Sequence, residues 1–205
     1  MTRARVRAAA SRRAAPSLDA AAAPPPKLRI VLLGLSITSS WGNGHATTYR
    51  SLVKGLAARG HDVLFLERDV PWYAAHRDLP EPPYGRTALY ADPTELAARF
   101  TDAVRAAELV IVGSYVPDGV AVGEWVLREG RGTRAFYDID TPVTLAMLER
   151  GEEEYLARAQ VPRWDLYLSF TGGPTLERLE TEFGAARAYP LYCSVDPERY
   201  RPLDD

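Results

Sequence analysis

The sequence predicts an α/β fold, a parallel β-sheet with helices on both faces, and three observations carry that prediction. Short β-rich apolar runs alternate with segments of helical period from Leu28 to Tyr192. Connections of that length close parallel strand pairs rather than hairpins. The apolar runs are continuous rather than alternating, as expected of strands covered on both sides. A chain of 205 residues, 46% hydrophobic and 25% charged, can bury one substantial domain or at most two small ones.

Leu28–Gly34 (LRIVLLG) reads as the first strand, followed by a polar, glycine-bearing loop to His45. The next helix carries Tyr49, Leu52, Val53, Leu56 and Ala57 on one face, and Gly60 is placed to end it in the left-handed conformation. Asp62–Glu67 is the second strand. Pro71–Arg86 is a long loop with four prolines, and Thr87–Tyr90 is a weaker strand candidate. Asp92-Pro93-Thr94-Glu95 pairs an acidic N-cap with proline at the first helical position and a glutamate three residues after the cap. It opens a helix with Leu96, Phe100 and Val104 on one side. Leu109–Gly113 is a strand, Val120–Glu129 a helix closed by Gly130, and Thr133–Asp138 a strand. Thr141-Pro142 opens a helix reaching about Arg150. Asp165–Phe170 is a strand, Pro174–Phe183 a helix closed by Gly184, and Arg187–Tyr192 the last strand.

Residues 1–26 stand apart, with ten alanines, four prolines, five arginines and one aspartate. They are expected to form a disordered tail outside the fold. Ser11-Arg12-Arg13 hints at an export signal, but Pro16 and Asp19 interrupt the stretch after it, which makes a poor apolar core for such a signal. The tail carries +4, so the formal charge of −2 becomes −6 for residues 27–205, a body with no basic face suited to nucleic acid. No run approaches the ~18 apolar residues of a membrane span. One cysteine, Cys193, excludes an internal disulfide framework and a Cys-based zinc site, and suits a cytoplasmic protein. Cys193 itself reads as a small buried apolar residue.

Ligands of open parallel sheets bind beyond the carboxyl ends of the strands, and the unusual residues of this chain fall there. In Trp41-Gly42-Asn43-Gly44-His45 the glycines allow close backbone approach and a helix N-terminus offers free N–H groups. His45 is the candidate catalytic base, with Gly42, Asn43 and Gly44 as substrate contacts; the alternative is a tight turn with a capping histidine. A dinucleotide fingerprint is disfavoured although Glu67 sits where a ribose-binding acid would be. Thr47 replaces the third glycine, and Leu35–Gly42 is too long for the usual tight turn. Asp138-Ile139-Asp140 has D-x-D spacing, so a metal site, a polar substrate contact by Asp138, Asp140 and Thr141, or capping of the helix at Pro142 are all open. No metal ligand is assigned. Thr171-Gly172-Gly173-Pro174 is either a second ligand turn or turn chemistry alone. Ser114 and Tyr115 follow a buried strand and are placed in the same cleft. The Pro71–Arg86 loop offers Trp72, Tyr73 and Tyr84, whose faces suit sugar rings, or is packed surface. His61 and His76 read as ordinary turn residues, and Glu149 with Glu152–Glu154 as a solvated acidic run.

Two segments resemble family-four-like glycosyltransferases of the two-domain GT-B type: Leu28–Glu67, containing "LAARGHDVLFLE", and Cys193–Pro202 (CSVDPERYRP), similar to a "VDPxxFxP" domain crossover. Between them "SSWGNGHATTYRSL", "ERDVPWYA", "GSYVPDG", "FYDIDTPVTL" and "LYLSFTGGPTLERLE" resemble the CgeB-like branch, named for a spore maturation protein. The resemblance implies a Rossmann-like, acceptor-side domain over 27–193 and a crossover over 194–205 to a C-terminal donor domain that is missing. It implies transfer of a hexosyl group from a nucleotide-sugar co-substrate to a hydroxyl acceptor, without metal or other cofactor. It places Gly42, Gly44 and His45 at the catalytic cleft, with Asp140, Thr141, Gly172 and Gly173 around it. On this reading the 205-residue chain is inactive alone. The alternative is a free-standing, non-catalytic module that binds a sugar or nucleotide.

Overall fold

The computed structural model describes residues 26–202; the tail expected over 1–26 lies, but for its last residue, outside the described residues. Seven parallel strands form one sheet: β1 (Arg29–Gly34), β2 (Asp62–Arg68), β3 (Arg86–Tyr90), β4 (Leu109–Gly113), β5 (Thr133–Asp138), β6 (Leu166–Ser169) and β7 (Ala188–Pro190). Their order is β3-β2-β1-β4-β5-β6-β7, the doubly wound Rossmann-like arrangement in which strand order reverses beside β1. Six helices connect them: α1 (His45–Ala58), α2 (Pro71–Ala74), α3 (Pro93–Ala106), α4 (Gly119–Glu129), α5 (Thr141–Glu149) and α6 (Pro174–Thr181). The fold class read from the sequence is the one observed.

Successive strand residues point to opposite faces, so each buried strand feeds two cores. Ile30, Leu32, Val63, Phe65, Ile111, Ala135 and Tyr137 pack with Tyr49 and Val53 of α1. Val31, Leu33, Leu66, Val110, Val112, Phe136 and Tyr167 pack with residues of α3, α4, α5 and α6. Helices therefore cover both faces. Asp92 accepts a hydrogen bond from the Glu95 N–H at 2.8 Å, and Glu95 returns one from the Ala91 N–H at 2.5 Å, which fixes the start of α3. Gly60 (φ 86°) closes α1 in the left-handed region read from the sequence, and Gly184 (φ 77°) turns the chain after α6 in the same region.

Three differences have local causes. The Pro71–Arg86 loop contains α2, one helical turn started by Pro71 at its first position. A 3₁₀ turn, Arg158–Arg163, precedes β6. The last strand is only Ala188–Pro190, an edge strand on which Pro190 turns its N–H-less nitrogen away from β6; one further bond, Leu191 N–H to the Ser169 carbonyl at 2.7 Å, lies just beyond it. The chain then runs back along α1. Ser194 reaches the Thr48 carbonyl at 3.5 Å, and Lys54 donates to Asp196 at 2.8 Å and Glu198 at 2.6 Å. These two carboxylates push the Lys54 ammonium pKa well above its ordinary value.

The register brings Gly34 level with Glu67, Gly113 with Tyr137, and Asp138 with Ser169, so the strands end together along one edge. At that edge the fully buried Tyr49 fills the crevice between β1 and β4. A Cβ on Gly34 would lie 2.5 Å from Phe65 Cζ and 2.8 Å from the Tyr49 ring, and one on Gly113 would collide with the Tyr49 hydroxyl. Both strands end in glycine because this tyrosine occupies the space. No helix among the described residues is long and apolar enough to cross a membrane.

Candidate functional site

The loop after β1 is Ser/Thr-rich, and its backbone N–H groups point inward, the kind of cradle that elsewhere takes a phosphate. Here the cradle is filled by the protein. Glu67, fully buried at the end of β2, accepts from the N–H groups of Ile37 (2.6 Å) and Thr38 (2.9 Å) and from the hydroxyls of Thr38 (2.6 Å) and Ser36 (3.2 Å). The carboxylate that sequence position suggested for a ribose is committed to its own loop. Glu67→Gln keeps one oxygen for the two N–H groups and turns an NH₂ toward the hydroxyls, which can rotate to accept. Only the charge assistance is lost, so the expected cost is about 1–2 kcal/mol in urea unfolding.

The second half of this loop is clamped from the Pro71–Arg86 segment. Arg50 donates to both Asp78 oxygens at 2.9 and 2.8 Å and to the Ile37 carbonyl at 2.8 Å; Asp78 also accepts from the Ser40 N–H and hydroxyl. The Arg50 hydrogen bonds hold the Asp78 carboxyl far below the usual carboxylate range. Gly42 takes φ 64°. Asn43 caps α1, its Oδ1 accepting from the Ala46 N–H at 3.0 Å while Nδ2 donates to the Ser39 and Trp41 carbonyls. Open space lies beside the Cα of both Gly42 and Gly44.

This scaffold presents His45 as the first residue of α1, 8% exposed. Nε2 lies 3.6 Å from Asp140 Oδ2, too far for a direct hydrogen bond, and Nδ1 is buried without a partner among the described residues. The Tyr115 ring meets the imidazole edge-on at 5.4 Å. Burial lowers the His45 pKa, partly offset by the Asp140 carboxylate. The positive end of α1 acts in the same direction as burial, so the ring is neutral near pH 7 and able to take a proton.

Asp140 owes its position to Asp138. The Asp140 side chain makes no capping bond to α5; it faces His45 instead. Asp138 is fully buried and accepts from the Asp140 N–H (3.1 Å), Thr144 Oγ1 (2.8 Å) and Tyr167 Oη (2.6 Å). Thr144 also bonds the Tyr155 hydroxyl at 2.7 Å. No cation among the described residues pairs with Asp138, and burial, against the three donated bonds, pushes its carboxyl up to about 6. In the unfolded chain the same group loses its proton near ~4. Between these values the folded state holds more protons, so stability falls as pH rises through that window. Asp138→Asn removes this dependence. Its urea midpoint is expected to gain on the parent from pH 4 to 6, a difference of about 2 kcal/mol, then to run parallel above.

A cleft of about 420 Å³ opens in front of His45, lined by Gly44, His45, Thr47, Thr48, Ile139, Asp140, Phe170 and the 193–195 segment. Of the residues singled out in the sequence, Gly44, His45 and Asp140 meet there, and Tyr115 abuts His45 from a neighbouring cleft. Ser114, Asp138 and Thr141 lie behind the wall, fully buried: Ser114 Oγ accepts from the Ile139 N–H at 3.0 Å, and Thr141 bonds Ser169 at 2.8 Å. Their side chains shape the loop rather than reach the cleft. Thr171, bonded to Ser169 at 2.9 Å, and Gly172 and Gly173 form the next turn along the edge. Cys193, read as buried, is exposed because β7 stops at Pro190 and leaves it on the returning chain. His76 stacks on Trp41 at 4.5 Å, and His61 Nδ1 accepts from the Leu28 N–H. Among the described residues no group of three or more His, Cys, Asp or Glu is placed to hold a metal ion.

No protein-family model matches the sequence, and no curated protein matches it significantly. Among solved structures the fold is similar to an α-glucosyltransferase in complex with UDP and a 13-mer DNA containing an HMU base. The TM-score is 0.55 at 13% sequence identity, covering 84% of this chain and 44% of that one. The likeness is one of fold: a Rossmann-like α/β domain of the kind found in GT-B glycosyltransferases. This chain therefore spans less than half the length of that neighbour.

Proposed function

We propose that the chain is the acceptor-side domain of a GT-B glycosyltransferase, with His45 as the base that activates the acceptor hydroxyl. The observation that carries the reading is the His45–Asp140 pair at the mouth of a cleft on the carboxyl edge of this fold. A hydroxyl set beside the pair, at the apex of a triangle whose base is the 3.6 Å His45–Asp140 separation, is within hydrogen-bond reach of both the imidazole nitrogen and the carboxylate oxygen. On transfer the hydroxyl oxygen attacks the anomeric carbon of the sugar and its proton passes to His45. The bond from that carbon to the diphosphate breaks, and the nucleoside diphosphate leaves with the electron pair. Asp140 steadies the imidazolium, and the rest of the catalysis is positioning and stabilisation of the departing diphosphate.

The donor half of the site belongs, on this reading, to a second domain. Tyr49 fills the β1–β4 crevice and Glu67 fills the β1 loop, the two places where a Rossmann domain would hold a nucleotide of its own. The same occupancy argues against a dinucleotide-dependent oxidoreductase. The body charge of −6 favours an acceptor other than nucleic acid.

The test is transfer of label from UDP-, GDP- and dTDP-sugars to hydroxyl acceptors. It is run with the 205-residue chain alone and with the product of any reading frame that continues past the codon for Asp205. Transfer only by the longer protein, lost on changing His45, is expected. Turnover by the 205-residue chain alone would overturn the division of labour. An immediate stop codon, with saccharide binding but no transfer, would favour a free-standing binding module.

A further inference from the structure

A second cleft, of about 400 Å³, opens on the other side of Tyr115, within the ~300–1,000 Å³ range of small-ligand sites. Its walls are flat rings. Trp72, on α2, is 52% exposed although large and apolar, and stands edge-to-face with Tyr73 at 6.2 Å. Tyr115 lies against Tyr155, ring centres 4.5 Å apart and planes tilted by 37°. Its rim carries two carboxylates, Asp118 and Glu154. One guanidinium, Arg68, pairs with Asp118 at 2.5 Å.

The backbone here is held in an unusual state. Tyr115 (φ 61°) and Asp118 (φ 56°) are the non-glycine residues with positive φ among the described residues, both in the turn between β4 and α4. Tyr115 has no side chain suited to that conformation, which costs about 1–3 kcal/mol and persists where surroundings impose it. The strain turns the Tyr115 ring so that one edge meets His45 and the ring borders the second cleft.

We infer that this cleft, formed by Trp72, Tyr115, Asp118 and Glu154, binds a neutral pyranose ring. Flat aromatic faces take the C–H face of a sugar, and rim carboxylates accept from its hydroxyls. With two carboxylates against a single, already paired arginine, an anionic sugar is repelled. The inference rests on the glycosyl-transfer reading only for the role of the ring, which is the acceptor, handed past Tyr115 to His45. Binding itself stands on the cleft.

The experiment is ¹⁹F NMR of the 205-residue chain carrying 5-fluorotryptophan, with the Trp72 resonance assigned by Trp72→Phe. The probes are methyl glucoside, methyl galactoside and maltotriose, against glucose 6-phosphate, each to ~50 mM, where a millimolar site fills. The Trp72 resonance is expected to shift and saturate with at least one neutral glycoside, to stay still with glucose 6-phosphate, and to need about tenfold more ligand in Tyr115→Ala. In the transfer-competent protein Trp72→Ala is expected to raise the acceptor KM about tenfold and leave the donor KM unchanged. A silent Trp72 resonance with all three glycosides, or equal shifts with glucose 6-phosphate, overturns the inference, and transfer that still depends on His45 would leave the functional reading standing. Saturable binding at Trp72 in a protein that transfers from no donor would do the reverse.

Discussion

On the glycosyl-transfer reading, replacing His45 by alanine in the transfer-competent longer protein is expected to lower the transfer rate by about 10²–10⁴-fold while leaving the fold intact, the range typical of losing a positioned base. The residue opens α1, and its removal breaks no hydrogen bond, since Nδ1 has no partner and Nε2 stands 3.6 Å from Asp140. The effect is therefore expected in kcat at saturating acceptor, with a fall of at most about 1–2 kcal/mol in unfolding, because the packing lost against Tyr115 is partly offset by removing a buried nitrogen that has no partner among the described residues. The pH profile gives a second reading of the same group. Burial depresses the imidazole pKa, so the acidic limb of kcat/KM should fall below pH ~6.5 and activity should be level through neutrality. Asp140 opposes the depression, and Asp140→Asn should move the limb to still lower pH with a smaller loss, about tenfold. A limb that stays in place in Asp140→Asn, or a His45→Ala enzyme with undiminished kcat, would remove His45 from the chemistry.

The largest structural effect is expected at Gly113. The position has an ordinary backbone conformation, so alanine there is opposed by space alone: its Cβ would run into the Tyr49 hydroxyl, with Tyr49 Cζ at 3.1 Å and the Leu33 carbonyl at 3.4 Å. Tyr49 is fully buried between two strands and cannot swing away. Gly113→Ala is expected to cost about 3 kcal/mol or more, a fall of roughly 6–12 °C in Tm by circular dichroism. Tyr49→Phe removes a hydroxyl that is buried without a partner, and alone should be neutral or slightly stabilising. Combined with Gly113→Ala it should recover more than half of the loss, because the first atom in the way is gone. Additive behaviour of the two changes would mean that Tyr49 is not what requires glycine at the end of β4.

Sequence pattern was enough for the fold because continuous apolar runs such as Leu109–Gly113 and face periodicity such as Leu96, Phe100 and Val104 are local signals. The loops were harder for a physical reason. The Pro71–Arg86 segment is organised by Asp78 meeting Arg50, 28 residues earlier, and no short window contains that pairing. Glu67 was visible as an acid at the end of a strand, but its commitment to Ile37 and Thr38 depends on the β1–β2 register. Asp138 and Asp140 share one D-x-D pattern yet part company: Tyr167, from β6, draws the first inside, while the second turns to His45. The Ser and Thr residues clustered from Ser36 to Ser40 offer hydroxyls and N–H groups of the kind that hold an anion, a local signal that was passed over. The anion proved to be the protein's own.

The return of the chain along α1 gives that helix a mechanical role. Its N-terminus presents His45, and nine residues later Lys54 grips the returning segment through Asp196 and Glu198, roughly 13 Å away along the axis. A helix of this length transmits displacement almost without bending, so a pull or twist on the returning segment reaches the imidazole as motion of a single rod. Lys54 and Glu198 are both open to water, where added salt loosens such a grip. Ionic strength thus sets how firmly the returning segment is geared to the residue that would take the proton.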